Sequence, residues 1–217
     1  MSDASTKTRM APARQKLLDA AVAVIREKGF VATTVDELCA RAGVAKGSFF
    51  HHFDGKEALG VAAANYWSEM TGALFASAPY HAPQDPLDRV LGYIDFRRGL
   101  IAGDIPDFTC VVGTMVQEIY DTNPAIRDAC DASISGHAGT LEADIAEAMK
   151  LYGVKNSFTP QSLALHTQAV LQGAFILAKA KSGAEIAISS VDHLRRYIEL
   201  LFNAQQNKGQ TKGKTKS

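Results

Sequence analysis

The chain has 217 residues, 47% of them apolar, with 23 Lys/Arg balanced by 23 Asp/Glu. That length allows a well-buried core, and the composition excludes a disordered chain. No stretch approaches the roughly 18 uninterrupted apolar residues of a membrane span. Residues 1–15 lack the apolar core of a secretory signal. Three cysteines, at 39, 110 and 130, have no metal-type spacing and point to reduced thiols in a cytoplasm. The zero net charge is unevenly spread: residues 1–56 hold nine Lys/Arg and six Asp/Glu, and the stretch from Asn203 adds four lysines and no acid. Positive ends on an acidic body orient a protein toward phosphates.

In chain order, a first helix is predicted from Pro12, favoured at the first helical position, to just before Gly29. Leu17, Ala21, Val24 and Ile25 form its inner stripe. Thr33 or Thr34 can cap a second helix, and Glu37 stands three residues after Thr34, at the spacing of a capping box. Val35, Leu38 and Ala42 share one face, and Gly43 suits the left-handed turn that ends such a helix. A third helix, Lys46 to Phe53, carries Lys46, Ser48, His51 and His52 with Phe49 and Phe53 beneath them. Two short helices about a glycine turn are how a helix-turn-helix displays a recognition helix to a DNA major groove.

A fourth helix follows from about Asp54 to Ser77, with Leu59, Ala63, Tyr66, Met70 and Leu74 on one face. After prolines at 79, 83 and 86, a fifth runs from Asp85-Pro86 to Ala102 and is apolar over most of its circumference. Gly103 to Pro106 reads as a loop, Phe108 to Tyr120 as a sixth helix, and Asn123-Pro124 opens a seventh that continues to Tyr152. An eighth runs from Thr159-Pro160 to Lys181, where Gly183 breaks it, and a ninth from Ser190 to Asn203. No alternating strand pattern appears, so the fold class is all-α with about nine helices.

Residues 12–60 resemble the DNA-binding domain of the TetR family of bacterial transcriptional repressors. The likeness rests on Gly29-Phe30, Thr33-Thr34-Val35, Ala42-Gly43-Val44, the run Lys46-Gly47-Ser48-Phe49-Phe50-His51-His52-Phe53, and Lys56-Glu57-Ala58-Leu59. It implies a flexible arm (1–11), a three-helix helix-turn-helix domain (12–56), a helical ligand-binding and dimerisation domain (57–203) and a disordered basic tail (204–217). It implies a homodimer on a palindromic double-stranded operator, with Lys46, Ser48 and His51 on bases or phosphates. Gly47 allows close approach, and Thr34 and Lys56 lie on the backbone, where Arg41 is a further candidate. Phe50 stands where the family commonly has tyrosine; the ring remains, without a hydroxyl for a phosphate. No arginine, asparagine or glutamine lies on this helix for two-pronged base reading, which shifts weight to shape and backbone contacts. His51 and His52 point about 100° apart, and no carboxylate or cysteine completes a set with them, so no metal is expected.

By the same resemblance a small-molecule effector binds between the fourth and eighth helices. Tyr66, Trp67, Tyr93, Phe96, Cys110, Thr114, Gln117 and His137 are candidates for an apolar cavity with a few polar anchors. The dimer would pair the last two helices with their mates, through Leu163, Val170, Gly173 and Leu177 and through Leu194, Ile198 and Leu201. Two alternatives stand beside an inducible repressor: a structural DNA-binding protein of this fold without an inducer, and an enzyme using Cys110 with His137. No nucleophile elbow, phosphate loop or metal spacing supports catalysis, and neither a cofactor nor a membrane partner is expected.

Overall fold

Helix α1, Pro12–Lys28, starts at its proline and closes with the Gly29 N–H on the Ile25 carbonyl, as this computed structural model shows. The structure describes residues 10–155 and 158–213, so most of the expected N-terminal arm and residues 214–217 lie outside the described residues. Helix α2, Val35–Ala42, is capped by the Thr34 hydroxyl, which accepts from the Glu37 N–H at 3.3 Å. The Glu37 carboxylate instead reaches Lys28 Nζ at 2.5 Å, tying α2 to the end of α1 rather than completing a capping box. Gly43 leaves α2 at φ 62°, a left-handed turn that brings the chain round into α3, Lys46–His52.

Helix α4, Lys56–Ala76, leads to one 3-10 turn at Pro79–His81 and then to α5, Pro86–Gly99. The expected loop after α5 contains a single-turn helix, α6, Ile105–Phe108, whose Asp107 carboxylate accepts from the Asp104 N–H at 2.9 Å. α7 is Val111–Ile119. The long seventh helix is two: α8, Pro124–Gly139, and α9, Glu142–Leu151. Gly136 and Gly139 weaken the helix there, and the Thr140 hydroxyl bonds the His137 carbonyl at 2.7 Å, which favours a break. α10, Pro160–Lys181, opens on a reciprocal Thr159–Ser162 cap, both bonds 3.0 Å, and ends with Ser182 rather than Gly183 left-handed, at φ 51°. α11, Glu185–Gly213, begins before Ser190 and continues past Asn203, where the tail was expected. Ala204, Gln205, Gln206 and Lys208 are good helix formers, and they carry the turn onward.

The packing does not divide at residue 57. One core joins Leu17, Ile25, Leu38, Phe49 and Phe53 to Val111, Met115 and Ile119 of α7 and to Ile126 and Cys130 of α8. Each large side chain buried across this joint contributes about 1.5–3 kcal/mol, so the small domain is held firmly to the body. α4 passes so close to its neighbours that a Cβ at Gly60 would lie 2.7 Å from Ile126 Cδ1 and 2.9 Å from Phe30 Cε2. Glu118 of α7 accepts the Val31 N–H at 2.9 Å from the turn before α2. The second core gathers α5, α9, α10 and α11 around Tyr93, Ile94, Ile145, Leu171, Val191 and Phe202. No described helix is long and apolar enough to cross a membrane.

Candidate DNA interface and ligand cavity

α3 is amphipathic by single residues. Phe49 and Phe53 are buried in the small core, which turns Lys46, Gly47, Phe50 and His51 outward on one exposed face, with Ser48 and His52 half-buried at its margins. Lys46 Nζ meets Asp36 Oδ1 at 2.7 Å, and Arg41 holds the Glu27 carboxylate at 2.6 Å; both pairs lie at the surface. These contacts raise the pKa of Lys46 and of Arg41, in each case chiefly through the hydrogen bond to the carboxylate. Exposed pairs of this kind are weak and screened by salt, so a phosphate can replace either carboxylate. Phe50 is 52% exposed, with its ring edge-on to Phe49. An exposed ring on the presented face of α3 can meet a thymine methyl, the apolar feature of the major groove.

Lys56 is placed differently. Its three N–H groups find the carbonyls of Phe30, Val31 and Thr33 at 3.1, 3.2 and 3.0 Å, and the ammonium lies 4.6 Å from the centre of the Phe30 ring. It clamps the turn that leads into α2, with every proton engaged. Thr34 is exposed at the start of α2, its hydroxyl occupied as the cap.

A cavity of about 590 Å³ lies among α4, α5, α7, α8 and α10. Of the eight predicted lining residues it includes Trp67, Cys110 and His137. Tyr66 faces away, its hydroxyl 2.6 Å from both Asp19 and Gln15 on α1. Tyr93 is wholly buried behind the wall, and Phe96 packs on Phe75 and Tyr80. Thr114 and Gln117 line a separate recess of about 210 Å³, where Lys179 donates to the Thr114 hydroxyl at 2.9 Å. Helical periodicity gives a face but not its neighbour, which is why these five fall outside the cavity.

Reasoning from sequence missed the cavity's polar wall: Arg26 from α1, Arg97 from α5, Asp107, Ser133, and Gln168 with Gln172 from α10. Only the basic character of the two arginines was visible beforehand. Gln168 donates to the Tyr93 hydroxyl at 3.0 Å, and Tyr93 lies 3.0 Å from His137 Nε2. Burial, aided by Arg97, pushes the His137 pKa down to about 4, so the ring is neutral at pH 7. Cys110 Sγ accepts the Gly113 N–H at 3.5 Å at the start of α7, and no hydrogen bond joins it to His137 among the described residues.

The predicted dimer contacts need correction. Leu163, Leu194 and Ile198 are buried within the protomer's own second core, and Val170 and Leu201 are half-buried against it. Among the described side chains, the large apolar ones left outside on α10 are Leu165, Ile176 and Leu177, and on α11 Tyr197 and Leu200. Gly173 stays open beside them, with nothing near the position of a Cβ. Both helices are apolar on several sides, and the sequence could not say which side the monomer consumes.

A recognition helix on a small domain, whose core runs on into a helical body with a cavity, defines a helix-turn-helix regulator. The family model described as "Bacterial regulatory proteins, tetR family" matches residues 17–63, and "Tetracyclin repressor-like, C-terminal domain" matches residues 86–194. The chain is 24% identical over 193 residues to the HTH-type transcriptional repressor DhaR of Mycobacterium sp. (strain GP1), covering 89% of this chain and 92% of that protein. It is 26% identical over 196 residues to the repressor NemR of Escherichia coli K12, covering 85% and 93%. Among solved structures, a TetR-family regulator from Agrobacterium tumefaciens superposes with a TM-score of 0.75 at 20% identity, covering 86% of this chain and 98% of that one. The chain belongs to the TetR family and is a DNA-binding transcriptional regulator.

Proposed function

We propose that the protein is an effector-responsive, homodimeric repressor that binds a palindromic operator through α3. The observation that carries the reading is the cavity, whose wall includes Arg26 of α1 and Trp67 to Phe75 of α4. The wall thus includes α1, which packs on α3, and α4, which packs on α1 and follows α3 in the chain. A ligand that prefers one setting of α1 and α4 changes the separation of the paired recognition helices, about 34 Å for successive major-groove faces. If that setting misfits the operator, DNA affinity falls, and by linkage DNA weakens the ligand equally. A cavity of about 590 Å³ weighs against an inducer-independent structural protein, for which a filled body is expected. Lys46, Ser48, Phe50 and His51 meet the groove, Gly47 allows the approach, and Thr34 and Arg41 meet the backbone. The family assignment favours the regulator over the enzyme reading.

The protomers pair through the exposed strip Leu165, Ile176, Leu177, Tyr197 and Leu200, close to Gly173. Fluorescence anisotropy with DNA flanking the gene tests the first part: Lys46→Ala weakens binding and lessens its salt dependence. Undiminished binding in that variant would remove α3 as the reading helix. Light scattering tests the second: Leu177→Glu with Leu200→Glu yields monomers that bind DNA poorly, and a dimer surviving both changes would place the interface elsewhere.

A further inference from the structure

We infer that the cavity takes an amphipathic organic monoanion, a carboxylate on an apolar body, drawn in by the positive charge of Arg26 and Arg97. The inference rests on the cavity being the effector site and specifies the effector's chemistry. Most arginines of the body have carboxylate partners: Arg89 meets Asp144 and Glu147, Arg98 meets Asp192, and Arg195 meets Asp95. Among the described residues the two that line the cavity form no such ion pair, although the charge of Asp107 acts on Arg26 from the same wall. Arg26 Nε is buried without a hydrogen-bond partner, and its guanidinium lies 5.2 Å from the centre of the Trp67 ring. Arg97 lies between Phe75 and Phe175, 5.2 and 5.9 Å from the ring centres. Aromatic faces hold a guanidinium in place while leaving its N–H fork free, and a carboxylate matches that fork.

The charges facing this space are Arg26, Arg97 and Asp107, with His137 neutral. One positive charge is left over, which a monoanion neutralises. The rest of the wall is mainly apolar, with Met70, Leu74, Leu100, Ile101, Phe108 and Val112, so the body of the ligand is apolar. Burial lowers the Arg26 pKa, as expected for a cation lacking a full set of partners. Arg26 also gives the carboxylate a lever: it belongs to α1, whose Leu17, Leu18 and Ile25 pack in the core beneath α3.

Trp67 is the chain's single tryptophan and lies against Arg26, so its emission reports this site directly. The full-length protein is titrated with octanoate and 4-phenylbutyrate, each beside its uncharged alcohol, 1-octanol and 4-phenylbutanol. The acids are expected to shift Trp67 emission and to bind at least about tenfold tighter than the alcohols, the value of a charge-assisted contact. Arg26→Gln and Arg97→Gln each bring acid and alcohol to within about twofold of one another while circular dichroism shows native helix content. The two variants lie on different helices, so one that failed to fold would still leave the other informative. Alcohols binding as well as acids, a preference surviving in both variants, or no binding by any probe would each overturn the inference. DNA binding by the same ligand-free preparations is scored separately, so failure of the anion site is distinguishable from failure of the repressor reading.

Discussion

Acidification is expected to weaken this protein through His137, by an amount the structure sets. The ring titrates near 6.5 when free and near 4 when folded, because burial and Arg97 both oppose its charge. Between those values the unfolded chain binds a proton that the folded chain does not. The stabilisation is therefore complete above pH 6.5 and is lost as pH falls toward 4. The full difference is worth about 3 kcal/mol, of which about 2 kcal/mol is gone by roughly pH 5. For a chain of this length that is a Tm lower by roughly 4–8 °C. The Glu37, Asp85 and Asp192 carboxylates are also held below their usual pKa values and lose stabilisation on acidification, so the wild-type melt alone is ambiguous. His137→Gln removes the titration while leaving an amide oxygen for the Tyr93 hydroxyl. Thermal melts of both proteins at pH 7 and 5 isolate the histidine, since the carboxylates cancel. A variant whose Tm falls as far as the wild type would refute the buried neutral ring.

Gly47→Ala adds a methyl that meets nothing within 4 Å, so the free protein should gain about 0.5–1 kcal/mol from helix propensity and melt slightly higher. The same methyl stands between α3 and the groove, and anisotropy should show DNA binding at least about tenfold weaker; undiminished affinity would remove Gly47 from the interface. Lys56→Met strips three carbonyls of their donor, and a melt should show a loss of about 1.5–3 kcal/mol. The salt slope of its DNA binding should stay unchanged; a slope shallower by about one unit at unchanged Tm would instead put that ammonium on a phosphate.

The helix-turn-helix was legible because it is local. Thr34, Gly43 and the Phe49/Phe53 pair fix two short helices and a turn by rules spanning only a few residues, and burying the two rings turns Lys46 and Phe50 outward. The carbonyls around Lys56 were not legible, because they lie 23 to 26 residues earlier in the chain. The cavity was half legible. Trp67, Cys110 and His137 were found as residues on helix faces, but Tyr93 points into the protein instead of the space.

What the sequence settled by itself was the helical periodicity, the helix-turn-helix and the family, since each depends on the order and spacing of neighbours along the chain. The break at Thr140, the two arginines of the cavity wall and the exposed strip on α10 and α11 were decided by tertiary structure alone. A helix carrying apolar residues on several sides has no way to specify which side is buried until other helices arrive. Likewise an arginine's charge is fixed by its identity, but whether it finds a carboxylate or faces a cavity depends on what the fold brings beside it.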